Sequence, residues 1–291
     1  MARVVVAGST GYLGKHVVAA CKRRGHWVRA LARSPEKLSE PGVFLEPAVG
    51  ELVDEVFTGE ATRPETLSGL CDGADMVFSS LGITRQTDKV SFRDVDYQAN
   101  RNILDLALKS GVKRFVFVSV FRPGAVAEIG MVRAREDFVK ELRSSGLFRA
   151  VIRPTGFFSD ISEYFHMAKA GRVWMVGDGS AHLNPIHGAD LAEVCVDALE
   201  TTETEIEVGG PETFTHREIA ELAFSVAGGR PKISALPAWA VNLTLRLVRP
   251  FSERYYDLGR FFATASQTEF TAPPTGSHRL EPYFRELLGR G

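Results

Sequence analysis

The segment Ala7-Gly8-Ser9-Thr10-Gly11-Tyr12-Leu13-Gly14 follows the first apolar run of the chain directly and sets three glycines at G-x-x-G-x-x-G spacing. That arrangement suits the binding of a pyrophosphate. One glycine turns the chain sharply out of a strand, the next lets phosphate approach the backbone, and the third lets the helix pack close on the sheet. Unpaired N–H groups and the dipole at the helix start then hold the negative charge. With 27 glycines in the chain, such spacing also arises by chance, so its weight comes from the strand-loop-helix context. The next apolar run ends in Ala32-Arg33-Ser34-Pro35-Glu36-Lys37. An acidic residue at the strand end there would accept the ribose diol of NAD, and none is present. Arg33 offers a planar guanidinium for a 2′-phosphate, with Ser34 and Lys37 close behind, so the expected cofactor is NADP. A solvated strand-end arginine is the alternative.

These residues need strands to carry them. Apolar runs at 4–7, 27–31, 53–58, 76–80, 115–120 and 148–153 read as strands. Helix-period segments near 14–24, 64–70, 92–110 and 126–144 separate them. The alternation predicts right-handed βαβ crossovers: an α/β fold with a doubly wound parallel Rossmann sheet. The strands are almost continuously apolar, as fits a sheet covered on both faces. After Arg153 the rhythm changes to a Pro154-Thr155-Gly156 turn, an aromatic stretch and a Gly-rich stretch. Residues 190–199 look helical, 205–208 could be a last strand, and prolines and aromatics grow denser from 209. The expected organisation is an NADP-binding Rossmann core over 1–155. Residues 156–291 would form a substrate-binding region, a small and mostly helical C-terminal cap interleaved with the end of the core.

Composition narrows the function classes. The chain has 291 residues, 44% hydrophobic and 24% charged, enough to bury a core without disulfide or metal. Lys plus Arg number 35 against 36 acidic residues, which argues against nucleic acid as a partner. Cys21, Cys71 and Cys195 lack C-x-x-C spacing and read as buried thiols of a reducing compartment. No apolar run has the length of a membrane span, and Arg3 leads straight into a strand without signal-peptide flanks. The expectation is a cytoplasmic monomer or homodimer acting on a small molecule, with no membrane partner. His182 and His187 have no carboxylate or cysteine cluster beside them, so no metal is expected.

With these segments in order, the chain resembles the short-chain dehydrogenase/reductase superfamily, in its atypical NAD(P)-binding branch. Gly59-Glu60-Ala61 is similar to the adenine-contacting loop, with Glu60 where aspartate is usual. Ser80-Leu81-Gly82 stands where the fourth strand ends against the adenine ribose. Residues 95–102 are similar to the central helix and 112–119 to the fifth strand. Pro154-Thr155-Gly156-Phe157 resembles the loop facing the nicotinamide, and Pro185-Ile186-His187 with Asp190-Leu191-Ala192 also recurs in this branch. The resemblance covers roughly residues 1–200. Its relatives include isoflavone-reductase-like enzymes, divinyl chlorophyllide reductases and cofactor-sensing regulators of the NmrA type.

The resemblance implies a Ser, a Tyr and a Lys for carbonyl reduction, the last two spaced Y-x-x-x-K. The matching helix has Met131 and Arg135 instead. Methionine has no proton to give, and arginine holds its own too firmly to transfer it. Ser119 remains at the strand end, as a catalytic donor or as a plain strand terminator. The catalytic candidates are therefore Ser119 and Arg135, both also able to touch cofactor. Met131, Phe157, Phe158, Tyr164 and His187 are candidates for an apolar substrate pocket, or else for core beneath the cap. The expected activity is NADPH-dependent hydride transfer to an apolar, conjugated or cyclic molecule. A catalytically silent NADP-binding redox sensor and a cofactor-retaining isomerase or epimerase are the rivals.

Overall fold

A computed structural model describes residues 1–82 and 90–290. The chain divides into two compact units. The first comprises Met1–Val120, Gly130–Arg153 and Leu191–Ile206, and the second Phe121–Ile129, Pro154–Asp190 and Glu207–Gly291.

The first unit is built on β1 (Arg3–Ala7), β2 (Trp27–Ala32), β3 (Glu55–Thr58), β4 (Met76–Ser79), β5 (Arg114–Val118) and β6 (Phe148–Pro154). These strands pair in parallel in the order β3-β2-β1-β4-β5-β6. A seventh strand over Glu205–Val208, which the apolar pattern anticipates, closes the far edge. Helices α1 (Tyr12–Arg23), α2 (Asn100–Lys109) and α3 (Gly130–Ser144) make the crossovers. Val5, Ala7, Val77, Phe115 and Phe117 meet Ile103, Leu104 and Phe138 in one buried cluster. Val4, Val6, Phe78 and Val116 point the other way by the two-residue period and are just as buried. Both faces are covered, as near-continuous apolar strands require.

Three local departures from the sequence pattern have physical causes. Residues 64–70 form only one 3-10 turn, Pro64–Thr66, because Gly69 adopts a left-handed φ of 84° and breaks the repeat. β3 starts at Glu55, since the Asp54 carboxylate takes the Val28 N–H at 2.7 Å where a backbone carbonyl would have paired. The helix expected over 92–110 opens as a π-helical segment, Arg93–Ala99, before α2. There the Asn100 amide donates to the carbonyls of Val95 and Asp96 at 3.3 and 3.1 Å. Such wide turns favour functional sites.

The second unit contains α4 (Phe158–Lys169), β7 (Val173–Val176) and β8 (His182–Leu183), then the start of α5 (Gly188–Asp197). Beyond the seventh sheet strand, which is β9, it continues with β10 (Phe214–Thr215), α6 (His216–Ala227), β11 (Ile233–Leu236), α7 (Ala238–Val248), α8 (Glu253–Ala265) and α9 (Leu280–Arg290). Helices dominate, as expected of this region. Two small sheets join them, β8 with β10 antiparallel and β7 with β11 parallel. Thr215 and Glu218 form a reciprocal capping box on α6, and Phe165 of α4 stacks on Phe284 of α9 at 5.3 Å.

Candidate functional site

Strand order reverses between β1 and β4, and in open parallel sheets ligands bind beyond the carboxyl ends of the strands at that point. Gly8 leaves β1 with φ 84°, and a Cβ on it would stand 2.9 Å from Ser80 Oγ at the end of β4. The Gly11 N–H donates to the Gly8 carbonyl at 3.0 Å, which closes the loop. Gly11 is the exposed N-cap of α1, with no side chain capping the helix and no acid in its first turn. Gly14 makes the closest approach, since a Cβ there would lie 1.9 Å from the Gly8 oxygen. The loop thus fits a pyrophosphate: an uncapped helix start, open at its tip, with its tightest packing on the inner side. Thr10 and Tyr12 are half-buried beside that tip, and Leu13 is buried beneath it. Ser9 faces inward, its hydroxyl donating to the Leu31 carbonyl at 2.7 Å. Lys15, in the next turn, donates to the Glu40 carbonyl at 2.5 Å, and burial pulls its pKa down.

At the end of β2 the Arg33 side chain is exposed, its Nη1 3.8 Å from Glu60 Oε1. Ser34 opens the 3-10 turn Pro35–Leu38, in which Lys37 is exposed. Glu60 also accepts from the Thr62 hydroxyl at 3.0 Å, and its own N–H donates to Thr66 Oγ1 at 2.9 Å. The Ala61 carbonyl takes the Asn102 amide at 2.9 Å, which ties this loop to α2. Arg33 and Glu60, 27 residues apart in the chain, therefore share one edge of the sheet.

Beyond β4 and β5 lies a buried charge network that sequence reasoning only half saw. Arg135 Nε donates to Asp96 Oδ1 at 2.7 Å, and its Nη1 to the Val118 carbonyl at 3.1 Å. Asp96 is fully buried. Gly82 leaves room for the pair, because a Cβ there would meet Arg135 Nη2 at 1.8 Å. The Leu81 N–H donates to Ser79 Oγ at 3.3 Å, and Ser79 donates to Asn100 Oδ1 at 2.5 Å. Ser119 donates to Glu136 Oε1 at 2.7 Å, and Glu136 also receives both Arg153 amino groups, at 2.7 and 3.0 Å. Burial alone would lower the Arg153 pKa, but Glu136 and Glu205 more than offset it and the guanidinium titrates higher than usual. Met131, one turn before Arg135 on α3, is 2% exposed. Asp96, Glu136 and Arg153 are the residues that the motifs alone did not single out. A carboxylate in a segment destined for burial was the available signal.

In the second unit, Thr155 and its neighbours form a turn held from both sides. Thr155 Oγ1 donates to the Asn184 carbonyl at 2.6 Å, and the Ile186 N–H donates to the Gly156 carbonyl at 2.8 Å. Pro154 is buried, Gly156 has open space where a Cβ would project, and Phe157 is the half-buried N-cap of α4. Phe158 lies edge-on to His187, with ring centres 5.4 Å apart. His187 stacks on His278 at 4.2 Å, and His278 Nδ1 is 2.7 Å from Asp190 Oδ1. Both imidazoles and Tyr283 line a cavity of about 300 Å³ in this unit. Phe158 and His187 thus come together, whereas Tyr164 turns to α6, its hydroxyl 2.8 Å from His216 Nδ1. Burial raises the pKa of Tyr164 and lowers that of His216 to about 4. Among the described residues, no group of three His, Cys, Asp or Glu could hold a metal, and no helix is long and apolar enough to cross a membrane.

The family model described as NAD(P)H-binding matches residues 8–202. Two similar proteins are the photosystem II assembly factor Ycf39 of Synechocystis and the divinyl chlorophyllide a 8-vinyl-reductase of Arabidopsis thaliana. Each is 27% identical over 99% of this chain, covering 91% and 77% of its own length respectively. Among solved structures, the NADPH-dependent quinone oxidoreductase of Escherichia coli, complexed with NADPH, superposes with a TM-score of 0.76. That likeness spans 99% of this chain and 100% of the other at 17% identity, and shows a shared fold.

Proposed function

The chain belongs to the NAD(P)H-binding family, and from that premise we propose that it is an NADPH-dependent reductase of the atypical short-chain dehydrogenase/reductase branch, acting on conjugated or cyclic apolar molecules. The loop from Gly8 to Gly14 holds the pyrophosphate through backbone N–H groups and the start of α1. Arg33, with Ser34 and Lys37, meets the 2′-phosphate, Glu60 and Ala61 flank the adenine, and Ser80, Leu81 and Gly82 border its ribose. The resemblance assigns Pro154, Thr155, Gly156 and Phe157 to the nicotinamide. The dinucleotide supplies a hydride when bound.

One observation carries the choice of substrate class: the buried helix position at which carbonyl reducers keep tyrosine is Met131. Arg135, one turn on, is committed to Asp96, and Ser119 to Glu136. None of these groups is a ready proton donor. General-acid help is worth about 10²–10⁴-fold in rate, so a substrate must need it little. A vinyl group or quinone in conjugation spreads the negative charge left by hydride addition, and water completes the protonation. The names of the Arabidopsis and Escherichia coli proteins, a vinyl reductase and a quinone oxidoreductase, support such chemistry.

The test is a panel of quinones, enones and vinyl-substituted aromatics against simple ketones, followed by NADPH oxidation. Conjugated members should turn over and ketones should lag by at least 10²-fold. Met131→Tyr with Arg135→Lys should narrow that gap. Rapid reduction of simple ketones by the unmodified protein would defeat the assignment. A second reading has its own support, because the same committed side chains suit a non-catalytic NADPH-binding protein and one relative is named an assembly factor. A silent panel with intact NADPH binding would favour it.

A further inference from the structure

The hairpin of α7 and α8 in the second unit turns apolar side chains outward in an order that packing does not explain. Trp239, Leu243 and Leu247 recur every four residues along α7 and are 71%, 53% and 67% exposed. Phe251 in the turn is 90% exposed and Tyr255 at the start of α8 is 66% exposed. Spacing of i, i+4, i+8 keeps these side chains on one helix face. The helix has no buried residue at all, although leucine and valine make up five of its eleven positions. Its inner contact is with α8, where Gly259 leaves room for Leu245. Isolated exposed leucines are ordinary, whereas a contiguous stripe ending in aromatics marks a surface that something covers.

Charge indicates the occupant. From Ala238 to Ser252 the only ionisable side chains are Arg246 and Arg249, in a chain whose net charge is -1. Both are exposed, and Arg249 lies over the Tyr256 ring at 5.2 Å. Aliphatic residues in the middle, tryptophan and phenylalanine at the ends, and two arginines in a segment with no acidic residue before Glu253 match the interface between acyl chains and anionic headgroups. A two-fold contact with a second copy would bring this cationic face against itself. We propose that α7 and the following turn dock the protein onto an anionic lipid bilayer, lying in the interface without spanning it.

The test is flotation of the full-length protein with vesicles of phosphatidylcholine alone or with 40% phosphatidylglycerol as a chosen anionic fraction. Light scattering without lipid accompanies it. Binding should appear on the anionic vesicles, weaken with salt, and be slight on the zwitterionic ones. Each arginine should contribute about fivefold, so Arg246→Gln with Arg249→Gln should cost about 25-fold. Trp239→Ser with Leu243→Ser and Leu247→Ser should abolish binding, while an unchanged NADPH affinity certifies the fold. Absence of binding to anionic vesicles, or equal binding by the triple variant, overturns the proposal. A lipid-free dimer that the triple variant dissolves assigns the stripe to a second copy and overturns it too.

Discussion

At Gly14 a single methyl group sets helix propensity against packing. Alanine is better than glycine in a helix interior by about 1 kcal/mol. The added Cβ would lie 1.9 Å from the Gly8 oxygen, inside any allowed contact and against backbone that cannot rotate away. Overpacking costs about 1–3 kcal/mol or more, so the clash wins. Gly14→Ala should lower the unfolding midpoint and abolish NADPH binding, as read by thermal unfolding and titration calorimetry. Arg33 raises a different question, because Glu60 stands 3.8 Å from its guanidinium. An exposed pair of this kind is worth little by itself, and a doubly charged phosphate outcompetes one carboxylate. Arg33→Ala should weaken NADPH binding by roughly 10–100-fold and leave NADH nearly unaffected, since a charge-assisted contact is worth about 1.5–3 kcal/mol. Equal losses for both cofactors would assign Arg33 to the adenine or to the fold.

Among the elements, α4 and α6 meet at half-buried Tyr164 and buried His216, whose protonation sets a pH window. His216 is held near 4 by burial, below its usual 6.5, so the folded protein keeps it neutral where the unfolded chain takes up a proton. More protons on the unfolded state mean that stability rises with pH. The contribution is full above about 6.5 and is lost as pH falls towards 4, at a cost of up to roughly 3 kcal/mol. Urea midpoints measured from pH 7 to pH 4 should show this slope, and His216→Gln should flatten it even though it lowers the plateau. A variant with an undiminished slope would place the acid sensitivity elsewhere. α3 has a comparable dependence on charge, since Arg135 joins it to the π-helical segment through fully buried Asp96. Removing one member of such a pair strands the other, which is why the wide turn and the helix belong to one cooperative piece.

For the molecule as a whole, cofactor binding and folding are linked. A dinucleotide that binds only the folded chain stabilises it by about 2.7 kcal/mol at a hundred times its dissociation constant. NADPH should accordingly raise the melting temperature by several degrees, and NADH at equal concentration by less. Gly14→Ala should show no increment from either. Scanning calorimetry at matched concentrations checks this, and identical shifts with both cofactors would remove the preference argued from Arg33. That prediction holds for a reductase and for a non-catalytic binder alike, which is why substrate turnover separates them and stability does not.

Read along the chain, the Rossmann sheet and the glycine loop were legible, because each depends on residues within one or two elements. Strand periodicity is local, and the glycine loop occupies eight consecutive positions. The small sheets escaped notice because β8 and β10 are only two residues long, and β7 finds its partner β11 sixty residues further along the chain. Partnerships of side chains were decided by tertiary structure alone. Ser9, within the glycine motif, turns to Leu31, and Ser119, read as a catalytic donor or a plain strand terminator, donates to Glu136. Tyr164 is taken by His216, 52 residues away, and Asp190 reaches His278 across 88. Hydrogen bonds demand alignment within a few tenths of an ångström, and only the packed backbone supplies that between residues so far apart.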